Sequence, residues 1–283
     1  MIAPSPRAAG GAPLGTGRWR AREVAEGEAA GALAALVAAI GAGDFPARFL
    51  EVMRVLAGVE LCSVFRRDAG AEVRLLFVAG TPSDRPDFAL RASLDYARGY
   101  WRADSQLTRL ARAGEGAPLV VRRHVSEIAD PAYRAACYER ADVVERVSIL
   151  WPGRPGLVAN GYRTAPGARF APHELERLET HAGILLAALR HHLRAEGEGG
   201  HLLSEAGLAE RLAALDHGLS IREAEIAAAL ILGATQDEIA AARGLSPSTV
   251  ITYRRRAYAK LGVANRRELV ALHRRMIADP NPR

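Results

Sequence analysis

The sequence predicts an α+β protein in which an N-terminal α/β/α sandwich is followed by an all-α domain of four helices. Three observations predict it. From Glu23 to about residue 195, helical periodicity alternates with short apolar runs of strand length. From Leu219 the helix start and stop signals recur with great regularity, after a glycine-rich stretch, EGEGG, that reads as a linker. Charge divides at the same place: residues 219–283 carry 11 basic and 6 acidic side chains, against 27 and 26 in the first 218, so the C-terminal piece holds +5 of the net +6. At 283 residues the chain can bury two cores. The boundaries that follow are a disordered tail at 1–20, the sandwich at 21–195, a linker with a short helix at 196–217, and the helical domain at 218–279.

Taken in order from Glu23, the elements read helix, helix, strand, strand, helix, strand, helix, strand, strand and long helix. VELCSVFRR and EVRLLFVAG are apolar runs separated by Asp68 to Ala71, as in a hairpin, and VERVSILWP and GLVANGYRT form a second pair around Pro152 to Pro155. APHELERLETHAGILLAALRHHLR is a long amphipathic helix. In the last domain, Ser220 with Glu223 and Thr235 with Glu238 have capping-box spacing, which starts helices near Ile221 and Gln236. Ser246 caps a third helix with Pro247 in its first turn, where the missing N–H costs nothing. Gly233, Gly244 and Gly262 close these three helices, and a fourth begins near Arg266. Only Ala242 to Leu245 separates the second helix from the third, which is helix-turn-helix spacing.

Composition excludes several functions. The longest apolar run, AAGALAALVAAI, has 12 residues, where a membrane anchor needs about 20. Two cysteines, Cys62 and Cys137, make no disulfide framework and fit a reducing cytoplasm. Lys260 is the only lysine, so there is no Walker phosphate loop and no lysine for a phosphoacceptor receiver domain. HELERLETH has Arg177 where a zinc protease needs its second histidine, and neither a GxSxG elbow nor a CxxC pair occurs. The expectation is a protein that is not an enzyme and has no cofactor or metal.

A helical wheel of SPSTVITYRRRAYAKLG, at about 100° per residue, sorts the third helix into sides. Val250, Ala257 and Leu261, flanked by Tyr253, form the inward stripe. Ser248, Thr252, Arg255 and Ala259 lie opposite, Arg256 and Lys260 make one flank, and Arg254 sits beside the stripe. No acidic residue occurs between Ser246 and Gly262, which suits a groove-reading face with a phosphate-contacting flank.

This region resembles the LuxR-type (GerE-like) helix-turn-helix of bacterial transcription regulators over about 60 residues. LSIREAEI is similar to the family's Leu-Thr-x-Arg-Glu-x-Glu-Val, DEIAAARGLSPSTV to its Glu-Ile-Ala followed by Ser-x-x-Thr-Val, and KLGVANRREL to its Lys-Leu-Gly-Val-x-Asn-Arg. The resemblance implies groove contacts at Ile251, Thr252 and Arg255, and phosphate contacts that include Thr249 and Lys260; with Ser248 and Arg256 from the wheel, these are the candidate DNA-binding residues. Where the family commonly has lysine after Thr-Val there is Ile251, and where it has histidine there is Tyr253. Implied partners are double-stranded DNA, RNA polymerase and a second copy of the chain, in the cytoplasm and with no membrane contact. In the family the fourth helix, here with Leu269, Leu272 and Met276 in one stripe, pairs two subunits; the alternative is that the stripe caps the domain's own core.

The N-terminal element order resembles GAF and PAS-like sensory folds and the autoinducer-binding domains attached to LuxR-type modules. YARGYWRADS is similar to the Tyr-x-x-x-Asp-Pro of those domains, whose tyrosine and aspartate hold an acyl-homoserine lactone; Ser105 replaces the proline. Tyr100 and Asp104, four apart, are expected on one helix face, and with Tyr96, Trp101 and Trp151 they are the candidate ligand residues. Two readings of these residues stay open, a small-molecule pocket or aromatic core filling with Asp104 an exposed or capping residue; for the domain as a whole the alternative is a protein-interaction or dimerisation module with no small-molecule ligand.

Overall fold

The computed structural model describes residues 16–67, 73–80, 88–105, 116–164, 169–195 and 205–278. The first 15 residues of the expected tail, the tip of the first hairpin and the EGEGG stretch lie outside the described residues. Helix α1, Thr16–Ala38, begins inside the segment expected as tail, and α2 spans Phe45–Ala57. Then follow β1 Leu61–Arg67, β2 Val73–Ala79, α3 Phe88–Arg98, β3 Leu119–His124, α4 Pro131–Cys137, β4 Glu145–Trp151, β5 Gly156–Arg163 and α5 Pro172–Ala195. The element order is the expected one.

The strands form one antiparallel sheet in the order β2-β1-β5-β4-β3. Both expected hairpins are present, and β5 is central, pairing Val158 with Phe65 of β1 and Ala159 with Ile149 of β4. β4 and β5 are buried on both faces, so the polar residues they carry inside, Glu145, Arg146, Ser148 and Asn160, must find partners there. One face packs Val64, Val147, Ile149 and Ala159 against Leu36 of α1, Phe45 and Phe49 of α2, and Leu185 and Leu189 of α5. The other packs Phe65, Leu150 and Val158 against Leu90 and Leu94 of α3 and Tyr133 of α4. This is the three-layer sandwich.

The C-terminal part is helical: α6 Glu205–Ala213, α7 Ile221–Ile231, α8 Gln236–Arg243, α9 Pro247–Leu261 and α10 Arg266–Ala278. Both capping boxes form, with Ser220 and Thr235 each accepting the N–H of the glutamate three residues on. Gly244 and Gly262 adopt the left-handed conformation that ends α8 and α9, at φ 62° and 66°. The short helix expected in the linker, α6, buries Leu208 and Leu212 in the helical core. Leu269 and Met276 of α10 are buried within this single chain, so the stripe serves the domain's own core, with Leu272 packed against it. No helix among the described residues is long and apolar enough to cross a membrane.

Candidate nucleic-acid interface and sensory cavity

Helix α9 presents the sides expected of it. Val250 and Ala257 are fully buried and Leu261 nearly so, which leaves Ser248, Ile251, Thr252, Arg255, Arg256, Ala259 and Lys260 exposed and Thr249 half-buried. Ser246 accepts the Thr249 N–H at 3.1 Å to start the helix. The Thr252 hydroxyl donates to Ser248 O at 3.0 Å, so towards a partner it offers a methyl group and an acceptor oxygen. Arg254 lies over the Tyr258 ring, one turn on, at 5.9 Å, a cation–π contact that places it away from the exposed face. Ile251 stands on the same face and is 42% exposed.

Lys260 is placed differently from the flank role expected of it. Its ammonium donates to Glu223 Oε2 at 2.6 Å and to Gly218 O at 2.9 Å, tying the end of α9 to the capping box of α7. Burial would raise the Glu223 carboxyl, but the bonds from Lys260 and Ser220 outweigh it and hold the group below the usual carboxylate range. The Lys260→Ala variant is therefore expected to lose about 1–2 kcal/mol of stability at neutral pH. A carboxyl depressed in the folded state stabilises above its unfolded pKa and stops doing so as pH falls through the folded value. The deficit should accordingly vanish below the usual carboxylate range, and urea titrations at several pH values will read it.

In the sandwich, the candidate aspartate is the centre of a buried polar cluster. Gly99 interrupts α3, a 3₁₀ turn follows at Tyr100–Ala103, and Asp104 emerges from it in extended conformation. Tyr100 and Asp104 thus do not share a helix face as expected, because the glycine breaks the helical register first. Asp104 is 1% exposed. It accepts from Tyr96 at 2.9 Å and from Arg123 at 3.1 Å, and pairs with Arg146 Nη2 at 2.8 Å. Arg123 and Arg146 are directly opposed on β3 and β4, a cross-strand pair of like charges that the carboxylate bridges. Arg146 also donates to Tyr133 and Tyr138, at 3.1 and 2.7 Å. Burial pushes the phenols of Tyr96, Tyr133 and Tyr138 well above their usual range, so they remain hydrogen-bond donors.

Beside this centre lies a narrow, partly open cavity between α3, α4 and the adjoining ends of β1 and β5, with free room for about one water molecule. Its polar atoms include Ser63 Oγ and Tyr162 OH, hydrogen-bonded to each other at 2.8 Å, and Tyr96 and Tyr138 connect it to the Asp104 centre. Of the candidate ligand residues, Tyr96 lines the cavity and Asp104 stands behind it. Tyr100 stacks on Tyr133 at 5.5 Å, Trp101 carries Arg102 over its ring at 4.6 Å, and both are half-buried. Trp151 is not brought to them: it packs on the opposite face of the sheet, under Arg190. Both cysteines line the cavity, and burial pushes each thiol up to about 12. Neither should be alkylated by iodoacetamide at pH 8 in the native protein, whereas both should react in urea; mass spectrometry reads the difference.

Residues 217–273 match the family of bacterial regulatory proteins, luxR family (GerE). This segment is a LuxR-family helix-turn-helix domain. No curated protein matches the chain. Among solved structures, the LBD domain of VqsR from Pseudomonas aeruginosa is similar with a TM-score of 0.42 and 15% identity, over 59% of this chain and 96% of that one. Escherichia coli SdiA gives 0.38 and 17% over 89% and 94%, and SdiA in complex with octanoyl-rac-glycerol gives 0.37 and 16% over 89% and 91%.

Within the LuxR-family domain, one element of the scaffold escaped sequence reasoning. Asn265 caps α10, accepting the Glu268 N–H at 3.0 Å and donating to Glu268 Oε1 at 2.7 Å, a pairing that Asn-x-x-Glu spacing announces. In the sandwich, Arg123, Arg146, Tyr133 and Tyr138 were missed. The available signal was a charged residue, Arg146, inside the apolar strand VERVSILWP, since a strand buried on both faces must supply any charge with a partner.

Proposed function

We propose that the chain is a cytoplasmic transcription regulator that binds double-stranded DNA as a homodimer and acts on RNA polymerase. In this reading α9 enters the major groove, with Arg255 and Thr252 hydrogen-bonding base edges and Ile251 covering a thymine methyl. Ser248, Thr249 and Arg256 contact phosphates, and Lys260 holds the helix in place while remaining near the backbone. The observation that carries it is the acid-free exposed face of α9, backed by a fully buried apolar stripe. Binding of a random-sequence duplex followed by selection of an enriched site tests it. Failure to enrich any site, with binding that stays purely electrostatic, would sink the sequence-specific reading.

The sandwich is read as the sensor, with its ligand in the cavity beside Tyr96, Ser63 and Tyr162. An apolar wall with a few convergent hydroxyl groups suits a small, largely apolar molecule with a polar head, and an acyl-homoserine lactone is one such molecule. A second reading, a protein-interaction and dimerisation module with no ligand, is favoured by the state of Asp104. Its carboxylate is already taken up by Arg123, Arg146 and Tyr96. A thermal-shift screen of the full chain against small metabolites, lactones included, separates the two. A dose-dependent rise supports the sensor, and its absence across the set supports the interaction module.

A further inference from the structure

Helix α3 faces two ways. On one side Phe88, Ala89, Ala92, Ser93 and Tyr96 line the cavity, and the end of the helix leads into the turn that carries Asp104. On the other side it meets the LuxR-family domain. Arg98 Nη2 donates 3.1 Å to the carbonyl of Leu232, the residue that ends α7. Leu90 and Arg91 face Ile231, Gly233, Arg266 and Val270 across a crevice between the two parts of the chain. The apolar residues beneath are continuous, with Leu90 and Leu94 in one cluster with Ile231 and Val270.

The segment that α3 grips is the turn between α7 and α8, held by the Gly233 N–H to Leu230 O and the Ala234 N–H to Ala229 O. That turn leads directly into α8, the first helix of the helix-turn-helix. Glu238, whose carboxylate closes the capping box of α8, is held below the usual carboxylate range by its hydrogen bonds from Thr235 and then by Arg98 and Arg266. A close-packed helix between a cavity and a neighbouring domain moves as a body, because neither of its sides can deform alone.

We propose that α3 couples the cavity to the DNA-binding domain: filling the cavity displaces α3 outward and opens the clasp that Arg98 makes on Leu232. This rests on reading the cavity as the sensory seat, but its test needs no ligand. If no small molecule binds and the coupling is nevertheless found, only the sensor reading falls.

The test is hydrogen exchange of the full chain, read at the amides of Gly233 and Ala234. Arg98→Ala is expected to speed their exchange about fivefold, the equivalent of one net hydrogen bond. Ala92→Met, which fills the cavity from inside, is expected to speed exchange at the same two amides although it touches neither. Should that variant fail to fold by circular dichroism, Ala89→Ile fills the cavity from the preceding turn. Wild-type exchange at Gly233 and Ala234 in a folded cavity-filled variant would overturn the coupling, as would wild-type exchange in Arg98→Ala.

Discussion

Replacing Asp104 with alanine is expected to cost the sandwich about 3–5 kcal/mol, because it leaves the Arg146 guanidinium buried without its counter-ion. Arg146 is only 2% exposed and sits directly across the sheet from Arg123, so the carboxylate is what makes two like charges tolerable there. Urea unfolding followed by circular dichroism measures the loss. The paired variant Asp104→Ala with Arg146→Met should regain much of it, since an apolar replacement of both partners removes the stranded charge as well as the bond. A wild-type urea midpoint for Asp104→Ala alone would show that the cluster is not organised around this carboxylate. The same geometry revises the expectation drawn from YARGYWRADS: a loss of ligand response in Asp104→Ala would not identify a ligand contact, because the variant disturbs the domain first.

The second large effect is expected at Arg255. Arg255→Ala should lower discrimination between the best duplex and a scrambled one by about 1–3 kcal/mol, leaving the melting temperature unchanged because the side chain is exposed. Arg256→Ala, on the flank, should weaken every duplex alike and reduce the slope of log affinity against log salt by about one. Fluorescence anisotropy at several salt concentrations separates the two behaviours. Equal, sequence-blind losses from both variants would take the reading role away from Arg255.

Much of the DNA-binding domain is legible in the sequence because its determinants are local. A capping box is a relation between residues three apart, a helix face repeats every 3.6 residues, and the stop at Gly262 is a matter of one φ angle. Such relations survive in a linear reading, and all three helices of the motif begin where the sequence places them. Lys260 marks the limit even here. Its partner Glu223 lies 37 residues away, so a wheel that sees only α9 assigns the ammonium to a phosphate when the fold assigns it to a carboxylate.

In the sandwich the order of elements and both hairpins followed from apolar runs and turn residues, whereas the site did not. Asp104 meets Arg123 from β3 and Arg146 from β4, and which strands become neighbours is decided by pairing across the whole sheet. Trp151 shows the same limit in one residue. An odd number of steps along β4 separates it from Arg146, so the period of two sends it to the opposite face from Tyr96 and Asp104. The sequence by itself determined the α+β class, the order of secondary-structure elements and the exposed basic face of α9, since each depends on relations a few residues apart. Only the tertiary structure decided that Asp104 is taken up by two arginines, that a cavity opens beside it, and that α3 lies between that cavity and the DNA-binding domain. Those depend on residues brought together from distant parts of the chain, where no local period records the meeting.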